Sequence, residues 1–429
     1  MKILVNKILM LWNKLWGRTE TSEVKSKKIS NDSVSESPKE DKAIDYSFYP
    51  IESLLIKNFY GIKEIIIDLP SNAPWIFLTG ENGYGKTNIL QAIARGLSTV
   101  TDNKIYEAIR PLQGNTSIIV KISSENKTFT GKLENGKVSS HGVPNLRIMG
   151  YGAGRASMGG DRNTNIYAPA TGLFDPGTIL RNIESEGLSR WFHIQKHSQV
   201  FKDTIDKFKK ILPSLENIIV NDDSEVFYIE KDDNGDLLKE VTFQELGSGY
   251  KNLISMIGDI ILSLNDTIKI GETFDARKEV KAIVLIDEFE LYLHPKLQKE
   301  LPLILSSLFP NIQFIASTHS PIPLLGAPEG SVFLKVNRTQ ETGITVERLN
   351  NLEEEIENLL PNSVLSSPLF GFQNILSKQH RADERVRTEE TYEKIKERDA
   401  IKKALKEREG TSVDENLKSF IQKRRNEKK

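Results

Sequence analysis

The sequence predicts an α/β fold with a mainly parallel sheet, and three kinds of segment support this prediction. Two apolar runs rich in β-branched residues, AIVLIDE at 282–288 and IQFIAST at 312–318, are typical of strands buried on both faces. A third run, WIFLTG at 75–80, leads directly into a glycine-rich turn. Helix-like segments such as NILQAIARGL at 88–97 separate the strands, which is the pattern of a parallel α/β sheet.

Ahead of this core, the runs SLLIKNF at 53–59 and EIIIDL at 64–69 predict a hairpin. The long interval between the glycine-rich turn and a second loop at 245–251 leaves room for an inserted lid at about 100–245. We therefore expect residues 48–380 to form one head. It would combine an antiparallel N-terminal β-subdomain, a mainly parallel sheet and a helical lid.

Composition excludes several classes of function. The chain has 429 residues with 58 Lys+Arg and 59 Asp+Glu, so 58 − 59 gives a net charge of −1. This balance excludes polycation-like binding of nucleic acid, although a local basic patch stays open. The absence of cysteine excludes disulfides, thiol nucleophiles and iron–sulfur clusters. No apolar run reaches the roughly 18 residues of a membrane-spanning helix. We expect a cytoplasmic protein, with peripheral attachment to a membrane surface as the alternative.

The two ends of the chain differ from its centre. Residues 1–17 have the spacing of an amphipathic helix with a basic face. Three roles fit that helix: docking on its own protein or a second copy, docking on a partner, or binding a membrane surface. Residues 18–47 predict a disordered linker, because they can bury little apolar surface. Residues 381–429 predict a charged helical tail, either a solvated helix with a frayed end or a contact to nucleic-acid phosphates.

The strongest chemical signal matches the phosphate-binding pattern GxxxxGK[ST] and is formed by Gly80, Glu81, Asn82, Gly83, Tyr84, Gly85, Lys86 and Thr87. The glycines let the backbone curl so that successive N–H groups face the phosphates, and the helix that follows adds its positive end. Lys86 supplies a cation for the terminal phosphates, and Thr87 offers a hydroxyl to Mg²⁺. This run predicts a nucleotide site.

Two carboxylates, Asp287 and Glu288, end the strand-like run at 282–288. We predict that Asp287 holds Mg²⁺ and that Glu288 polarises the attacking water as a general base. Acidic residues that merely end a strand are the alternative, which the phosphate loop makes weak.

Two further segments lie after or between these motifs. His319 follows a buried strand, and polar residues there face the ligand in an open α/β sheet. We assign it a hydrogen bond to the γ-phosphate, against the alternative of an ordinary histidine. Gly247, Ser248 and Gly249 open an apolar helix, and such an opening is either an anion-binding nest or a flexible capped loop.

The order of these motifs resembles the ATP-binding-cassette (ABC) ATPases: phosphate loop, signature-like loop, acidic strand and switch histidine. The chain is similar in particular to the RecF, SMC and overcoming-lysogenisation subgroup. Its runs LLIKNFYGIKEIIIDL, DEFELYLHPKLQ and FPNIQFIASTHSP resemble that subgroup's first hairpin, its Walker B motif with D-loop, and its switch strand. The resemblance covers about residues 51–335. It implies a P-loop NTPase of the ABC head type that uses ATP and Mg²⁺.

This chain departs from the family pattern at two places. The family signature carries serine second, whereas here Gly247 takes that place and Ser248 follows, so which hydroxyl faces a partner's γ-phosphate stays open. The family's Gln loop has no plain counterpart. The run GYGAGR at 150–155 is a candidate, in which Arg155 contacts the nucleotide or a Mg²⁺-bound water. An ordinary glycine-rich turn is the alternative.

The resemblance also implies a mechanism and partners. Two heads would pair head to tail as a homodimer or higher oligomer, with each ATP between one phosphate loop and the other head's signature. A stand-alone ATPase of this kind resembles the Septu-type anti-phage ATPases of bacteria, which work with a separately encoded effector. We expect a sensor and regulator of a nuclease or toxin, and we find no nuclease motif after His319.

Three alternatives stay open at this point. One is a RecF-like DNA repair or maintenance ATPase that clamps DNA. The others are the nucleotide-binding subunit of a transporter, which the missing LSGGQ argues against, and a switch that does not hydrolyse ATP, which the intact Asp287-Glu288 pair argues against.

Overall fold

The computed structural model describes residues 44, 46–98, 115–124, 127–134, 137–140, 146–155, 157–159, 170–194, 198–265, 280–371, 396 and 400–401. The predicted helix at 1–17 lies outside the described residues, as does nearly all of the predicted linker at 18–47 and of the predicted tail at 381–429. Those three assignments stay predictions. Within the described residues, no helix is long and apolar enough to cross a membrane.

Eleven strands form the main sheet in the order β6-β5-β4-β1-β2-β13-β12-β3-β11-β10-β7. Their bounds are β1 Ile51–Phe59, β2 Ile62–Asp68, β3 Trp75–Thr79, β4 Ser117–Ser124, β5 Lys127–Glu134, β6 Lys137–Ser140, β7 Leu146–Tyr151, β10 Lys281–Ile286, β11 Ile312–Thr318, β12 Val332–Thr339 and β13 Gly343–Arg348. A separate antiparallel hairpin consists of β8 Leu215–Val220 and β9 Val226–Glu230.

The α-helices of the described residues are α1 Lys86–Ser98, α2 Ser189–His193, α3 Ser198–Ile211, α4 Ser248–Asn265, α5 Pro295–Leu308, α6 Asn350–Glu355 and α7 Pro361–Ser366. Short 3₁₀ turns join several of them, and a π-helix at Glu184–Leu188 precedes α2.

The sheet has a parallel block and an antiparallel block. Neighbours in the series β12-β3-β11-β10-β7 are all parallel. The remaining neighbours, from β6 through β1 and β2 to the β12–β13 hairpin, are antiparallel. The predicted α/β fold is confirmed, and so is the antiparallel N-terminal hairpin. The antiparallel block is wider than the hairpin at 53–69 because β4–β6 and β13 extend it.

Helices cover both faces of the parallel block, which explains its continuous apolar strands. Successive side chains of a strand point to opposite faces. Trp75 and Phe77 accordingly pack in one core with helices α3, α4 and α5, while Ile76 and Leu78 pack in a second core with α1. Trp75 stacks on Phe314 of the neighbouring strand with ring centroids 4.5 Å apart.

The span at 100–245, which we assigned to a lid, contributes to the main sheet as well. Strand β4 pairs with β1, β5 and β6 extend the sheet outward from β4, and β7 pairs in parallel with β10. The alternating burial of Ile118, Val120 and Ile122 explains why this part forms strands rather than helices. The helices α2 and α3 and the β8–β9 hairpin also lie in this span. The boundary of a lid stays a prediction.

Candidate active site

The carboxyl ends of the parallel strands meet at one edge of the sheet, and the predicted site residues follow those ends. Strand β3 leads into the loop Gly80–Gly85, and α1 begins at Lys86. The loop needs glycine at Gly85, where φ is 93° and a Cβ atom would lie 2.3 Å from Ile344 Cδ1. The curl of this loop brings its backbone N–H groups together in the manner of an anion-binding nest.

Lys86 bends back over the loop that precedes it. Its Nζ donates to the carbonyl oxygens of Gly80 at 2.8 Å and Glu81 at 3.0 Å. Burial lowers the pKa of Lys86 to about 8, although nearby carboxylates, Asp287 foremost, oppose the shift. A phosphate group would supply the negative charge that this buried cation lacks.

A hydrogen-bond network joins the phosphate loop to the acidic strand β10 through β11. Thr87 Oγ1 donates to Asp287 Oδ2 at 2.7 Å, and Ser317 Oγ donates to Asp287 Oδ1 at 2.5 Å. Ser317 Oγ also accepts from the main-chain N–H of Glu288 at 2.8 Å. Glu288 itself has a left-handed backbone with φ 48°. Three separate segments of the chain are therefore held together at the predicted hydrolysis centre.

The donors at this centre suit Mg²⁺. The Thr87 hydroxyl and the Asp287 carboxylate are hard oxygen ligands in mutual contact. Mg²⁺ is bound in such sites by one or two protein oxygens together with substrate phosphates and water. The two residues predicted to hold the metal therefore fit it.

His319 lies beside Lys86, with its Nδ1 3.4 Å from Lys86 Nζ. Its main-chain N–H donates to Glu290 Oε1 at 2.6 Å. Burial, and to a lesser extent the charge of Lys86, lowers the pKa of His319, so the ring is neutral near pH 7. If Nδ1 accepts from Lys86, the neutral ring keeps a proton on Nε2 that it can donate.

The signature-like residues open α4 at the surface of the protein. Gly247 and Ser248 are exposed, and α4 begins at Ser248. Gly249 packs against the turn after Glu288, since a Cβ atom there would lie 2.7 Å from the carbonyl oxygen of Tyr292. Tyr292 is 55% exposed and has φ 64°. The hydroxyl of Ser248 is thus available to another molecule.

The sequence makes Arg155 a candidate contact to the nucleotide or to a Mg²⁺-bound water, but the structure buries its side chain against the acidic turn. It follows β7, beside the acidic strand, which is the place we proposed for a Gln loop. Its side chain is only 3% exposed and donates to main-chain carbonyls of the acidic turn. Because these bonds and one to Asn252 occupy the guanidinium group, its geometry favours support of the site over contact with ATP.

Several site residues escaped the sequence reasoning. Ser317 was within a quoted motif but received no role, although a polar residue inside an apolar strand was a usable signal. Glu290 was part of the run DEFELYLHPKLQ and carried a similar signal. Arg338 of β12 donates to Gly83 O at 2.9 Å, and Tyr60 lies 57% exposed with its carbonyl bound by Asn88 of α1. Tyr60 was inside the run quoted for the first hairpin but received no role, and no local pattern marked Arg338.

Comparison with known proteins gives a family match within the predicted head. Residues 160–323 match the family described as "AAA domain, putative AbiEii toxin, Type IV TA system". That span includes the signature-like loop, the acidic strand and His319.

Three proteins are similar to this chain over 70–75% of its length. The Septu protein PtuA of Bacillus mycoides (strain KBAB4) is 30% identical over 75% of this chain and 45% of its own length. The Septu protein PtuA of Bacillus thuringiensis is 25% identical over 75% of this chain and 86% of its own length. The SMC head domain from Thermotoga maritima is 12% identical, covering 70% of this chain and 98% of its own, with a TM-score of 0.39. This chain therefore spans less than half of the first relative and most of the second.

Proposed function

We propose that this chain is an ABC-type P-loop ATPase, similar to the Septu proteins PtuA, which binds and hydrolyses ATP to control a separate effector protein. The proposal rests chiefly on one observation. Thr87, Asp287, Ser317 and Glu288 form one hydrogen-bond network directly beside the phosphate loop. A hydroxyl and a carboxylate for a metal, and a second carboxylate for water, therefore lie where a γ-phosphate would end.

The residues around the phosphate loop and the acidic strand have distinct parts in the proposed reaction. The N–H groups of the loop and the Lys86 ammonium bind the phosphates, and Thr87 and Asp287 hold Mg²⁺. Bound Mg²⁺ would neutralise charge on the β- and γ-phosphates. Glu288 accepts a proton from the attacking water, and His319 donates from Nε2 to a γ-phosphate oxygen. Most of the rate enhancement then comes from positioning and charge neutralisation.

The arrangement of exposed residues supports head-to-tail pairing. Gly247 and Ser248 lie at the surface, as do Glu81 to Gly83 of the phosphate loop and Tyr292 after the acidic strand. In the proposed dimer, Ser248 of one head contacts the γ-phosphate held by the other. ATP would then stabilise the pair, and hydrolysis would release it.

We assign the output to anti-phage defence through an effector, a nuclease or toxin, on the similarity to the Septu proteins. Nucleic acid is a further candidate partner. A RecF-like DNA-clamping ATPase is the alternative function, and the third experiment below distinguishes it from control of an effector protein.

The first experiment measures ATP hydrolysis and ATP binding in matched variants. Lys86→Ala should abolish ATP binding, whereas Glu288→Gln should bind ATP but hydrolyse it roughly 10²–10⁴ times more slowly. Lys202→Ala and Glu329→Gln replace exposed residues away from the site and should match the parent. Parental affinity in Lys86→Ala would overturn the phosphate-loop assignment, and parental turnover in Glu288→Gln would move the general base elsewhere.

A second experiment tests pairing by mixing two inactive heads. Lys86→Ala lacks a working phosphate loop, and Ser248→Arg lacks a working signature. Mixed dimers contain one site with an intact loop and an intact signature, so mixing should restore hydrolysis. If the mixture stays inactive although Ser248→Arg alone binds ATP, the result contradicts the head-to-tail site.

A third experiment identifies the partner. The Glu288→Gln protein should be isolated from a native host with ATP and Mg²⁺, and the material bound to it analysed by mass spectrometry and nucleic-acid staining. A stoichiometric protein with nuclease or toxin chemistry is the expected result. Nucleic acid without a second protein would favour the DNA-clamping function instead.

A further inference from the structure

Arg155 makes an unusually complete set of contacts with the acidic turn. Its Nη1 donates to Asp287 O at 2.5 Å and to Gly152 O at 3.1 Å. Its Nη2 donates to Glu288 O at 2.8 Å and to Phe289 O at 3.3 Å. One guanidinium group therefore binds three consecutive carbonyls at the end of β10. The planar, multiply donating shape of arginine suits this task, which lysine would fulfil only in part.

These contacts act where the backbone needs support. Glu288 has φ 48°, a left-handed conformation that side-chain-bearing residues rarely adopt. Its N–H is bound by Ser317 Oγ, and its carbonyl accepts from Arg155 Nη2 at 2.8 Å and from the Leu291 N–H at 3.0 Å. Both main-chain polar groups of Glu288 are therefore held, the N–H by β11 and the carbonyl by Arg155 together with the turn itself. The direction of the Glu288 carboxylate depends on this held conformation.

The same guanidinium group also reaches the helix that carries the signature-like residues. Arg155 Nε donates to Asn252 Oδ1 at 2.9 Å. Asn252 is 1% exposed and lies four residues after Ser248 on α4, so the two residues share a helix face. Asn252 contacts Arg155 on the inside of the protein, while Ser248 is exposed at the start of the helix.

The position of Arg155 is chemically demanding. The side chain is almost fully buried, and burial lowers its pKa to about 10, with Asp287, Glu290 and Glu288 acting in the opposite direction. The group therefore stays charged at neutral pH. A buried charge is retained where its partners match it well. Removing it takes one donor from each of three consecutive carbonyls, of which Glu288 O keeps the Leu291 N–H.

We propose that Arg155 is a positioning residue of the hydrolysis reaction: it helps to hold Glu288 in its active conformation and joins that turn to the signature helix through Asn252. This inference rests on the proposed ATP hydrolysis with Glu288 as general base. Arg155 touches neither the nucleotide nor the water in this scheme. Contact of Ser248 with a partner's ATP would be transmitted along the first turn of α4 to the turn that carries Glu288.

The test separates turnover from binding. Arg155→Met should lower kcat by at least about tenfold, part of the effect of losing general-base catalysis, while ATP affinity stays within about threefold of the parent. Arg155→Lys should recover part of the rate, and Asn252→Ala should lower kcat less than Arg155→Met does. Arg190→Met, at an exposed arginine of α2, is the matched control and should leave kcat unchanged. A merely structural role would lower affinity and thermal stability without this separation.

A double-mutant cycle gives the decisive result. In the Glu288→Gln background, Arg155→Met should slow single-turnover hydrolysis by less than about threefold, because its effect passes through Glu288. If the two substitutions instead slow hydrolysis independently, so that their fold-effects multiply in the double variant, the inference is overturned. A parental kcat in Arg155→Met would also overturn it. If that variant does not fold, the same comparison with Arg155→Lys and Asn252→Ala decides the question, and a parental kcat in both contradicts the inference. Parental turnover in Glu288→Gln alone would instead refute Glu288 as the general base and leave the proposed ATP hydrolysis standing, whereas absence of ATP hydrolysis in the parent protein would refute the proposed function.

Discussion

Ser317→Ala is the perturbation whose effect the structure defines most sharply. The Ser317 hydroxyl is fully buried and has two partners, donating to Asp287 Oδ1 and accepting from the Glu288 N–H. Alanine removes both bonds and changes almost nothing else in volume. The predicted consequences are a less stable head and slower hydrolysis, because the same hydroxyl orients the metal-binding carboxylate and the turn of the general base.

The magnitude follows from the two bonds. A hydrogen bond to a charged carboxylate contributes about 1.5–3 kcal/mol, and a buried N–H left without an acceptor costs about 1–3 kcal/mol. The two effects share one hydroxyl and do not add fully, so we expect a loss of about 3 kcal/mol. A loss of that size lowers Tm by about 6–12 °C in a domain of 150–250 residues, and by less in a larger one.

The assay is thermal unfolding of the nucleotide-free protein, followed by steady-state hydrolysis with Mg²⁺ titrated. Ser307→Ala is the matched control, since the Ser307 hydroxyl also has a partner, Ile304 O at 2.8 Å, but is exposed on α5. Ser317→Ala should lower Tm by about 3–5 °C beyond that control and require more Mg²⁺ for half-maximal rate. If the two variants unfold together and need equal Mg²⁺, the network does not hold the site.

Three further predictions concern the same head. Gly85→Ala should lower both Tm and ATP affinity in calorimetry, because the new Cβ would lie 2.3 Å from Ile344 Cδ1. Gly235→Ala is the control, since Gly235 also has a positive φ but has open space around it, and this variant should leave ATP affinity unchanged. ATP affinity should fall by up to about tenfold per pH unit above pH 8, because binding needs a charged Lys86 and burial lowers the pKa of Lys86 to about 8. An ATP affinity that stays constant from pH 7 to 9.5 would contradict this. Glu184→Gln should raise Tm near pH 7 but not near pH 4. Burial raises the pKa of Glu184, so its ionisation above that pKa costs stability, which glutamine avoids. Scanning fluorimetry at both pH values measures the two Tm values, and an equal gain in Tm at both would exclude this cause.

The parts of the fold that were predictable are those encoded in short stretches of chain. The apolar strands of the parallel block, the hairpin at 53–69 and helix α1 all carry a local periodicity or composition that their burial requires. The β4–β6 extension was assigned to a lid instead. Its alternation of Ile118, Val120 and Ile122 was a local signal for a strand, but its pairing with β1 depends on residues more than fifty positions away.

The candidate site divides in the same way. The phosphate loop at Gly80–Thr87 was readable because its chemistry lies in consecutive residues whose glycines and helix start form one anion nest. Asp287 and Glu288 were readable because they end a buried strand. The role of Arg155 was not, since the carbonyls it binds lie more than 130 positions along the chain. No local pattern encodes such a pairing.

The amino-acid order alone determined the chemistry available to this protein: a loop for phosphates, oxygen ligands for Mg²⁺, a carboxylate for water and a serine between the two glycines of the signature-like loop. These are properties of residue type and nearest neighbours. The folded sheet decided which of them meet, because parallel strands from distant parts of the chain end at one edge. It alone brings Ser317 between Asp287 and Glu288, and it alone sets Arg155 between the acidic turn and the signature helix, where burial makes each lost bond costly.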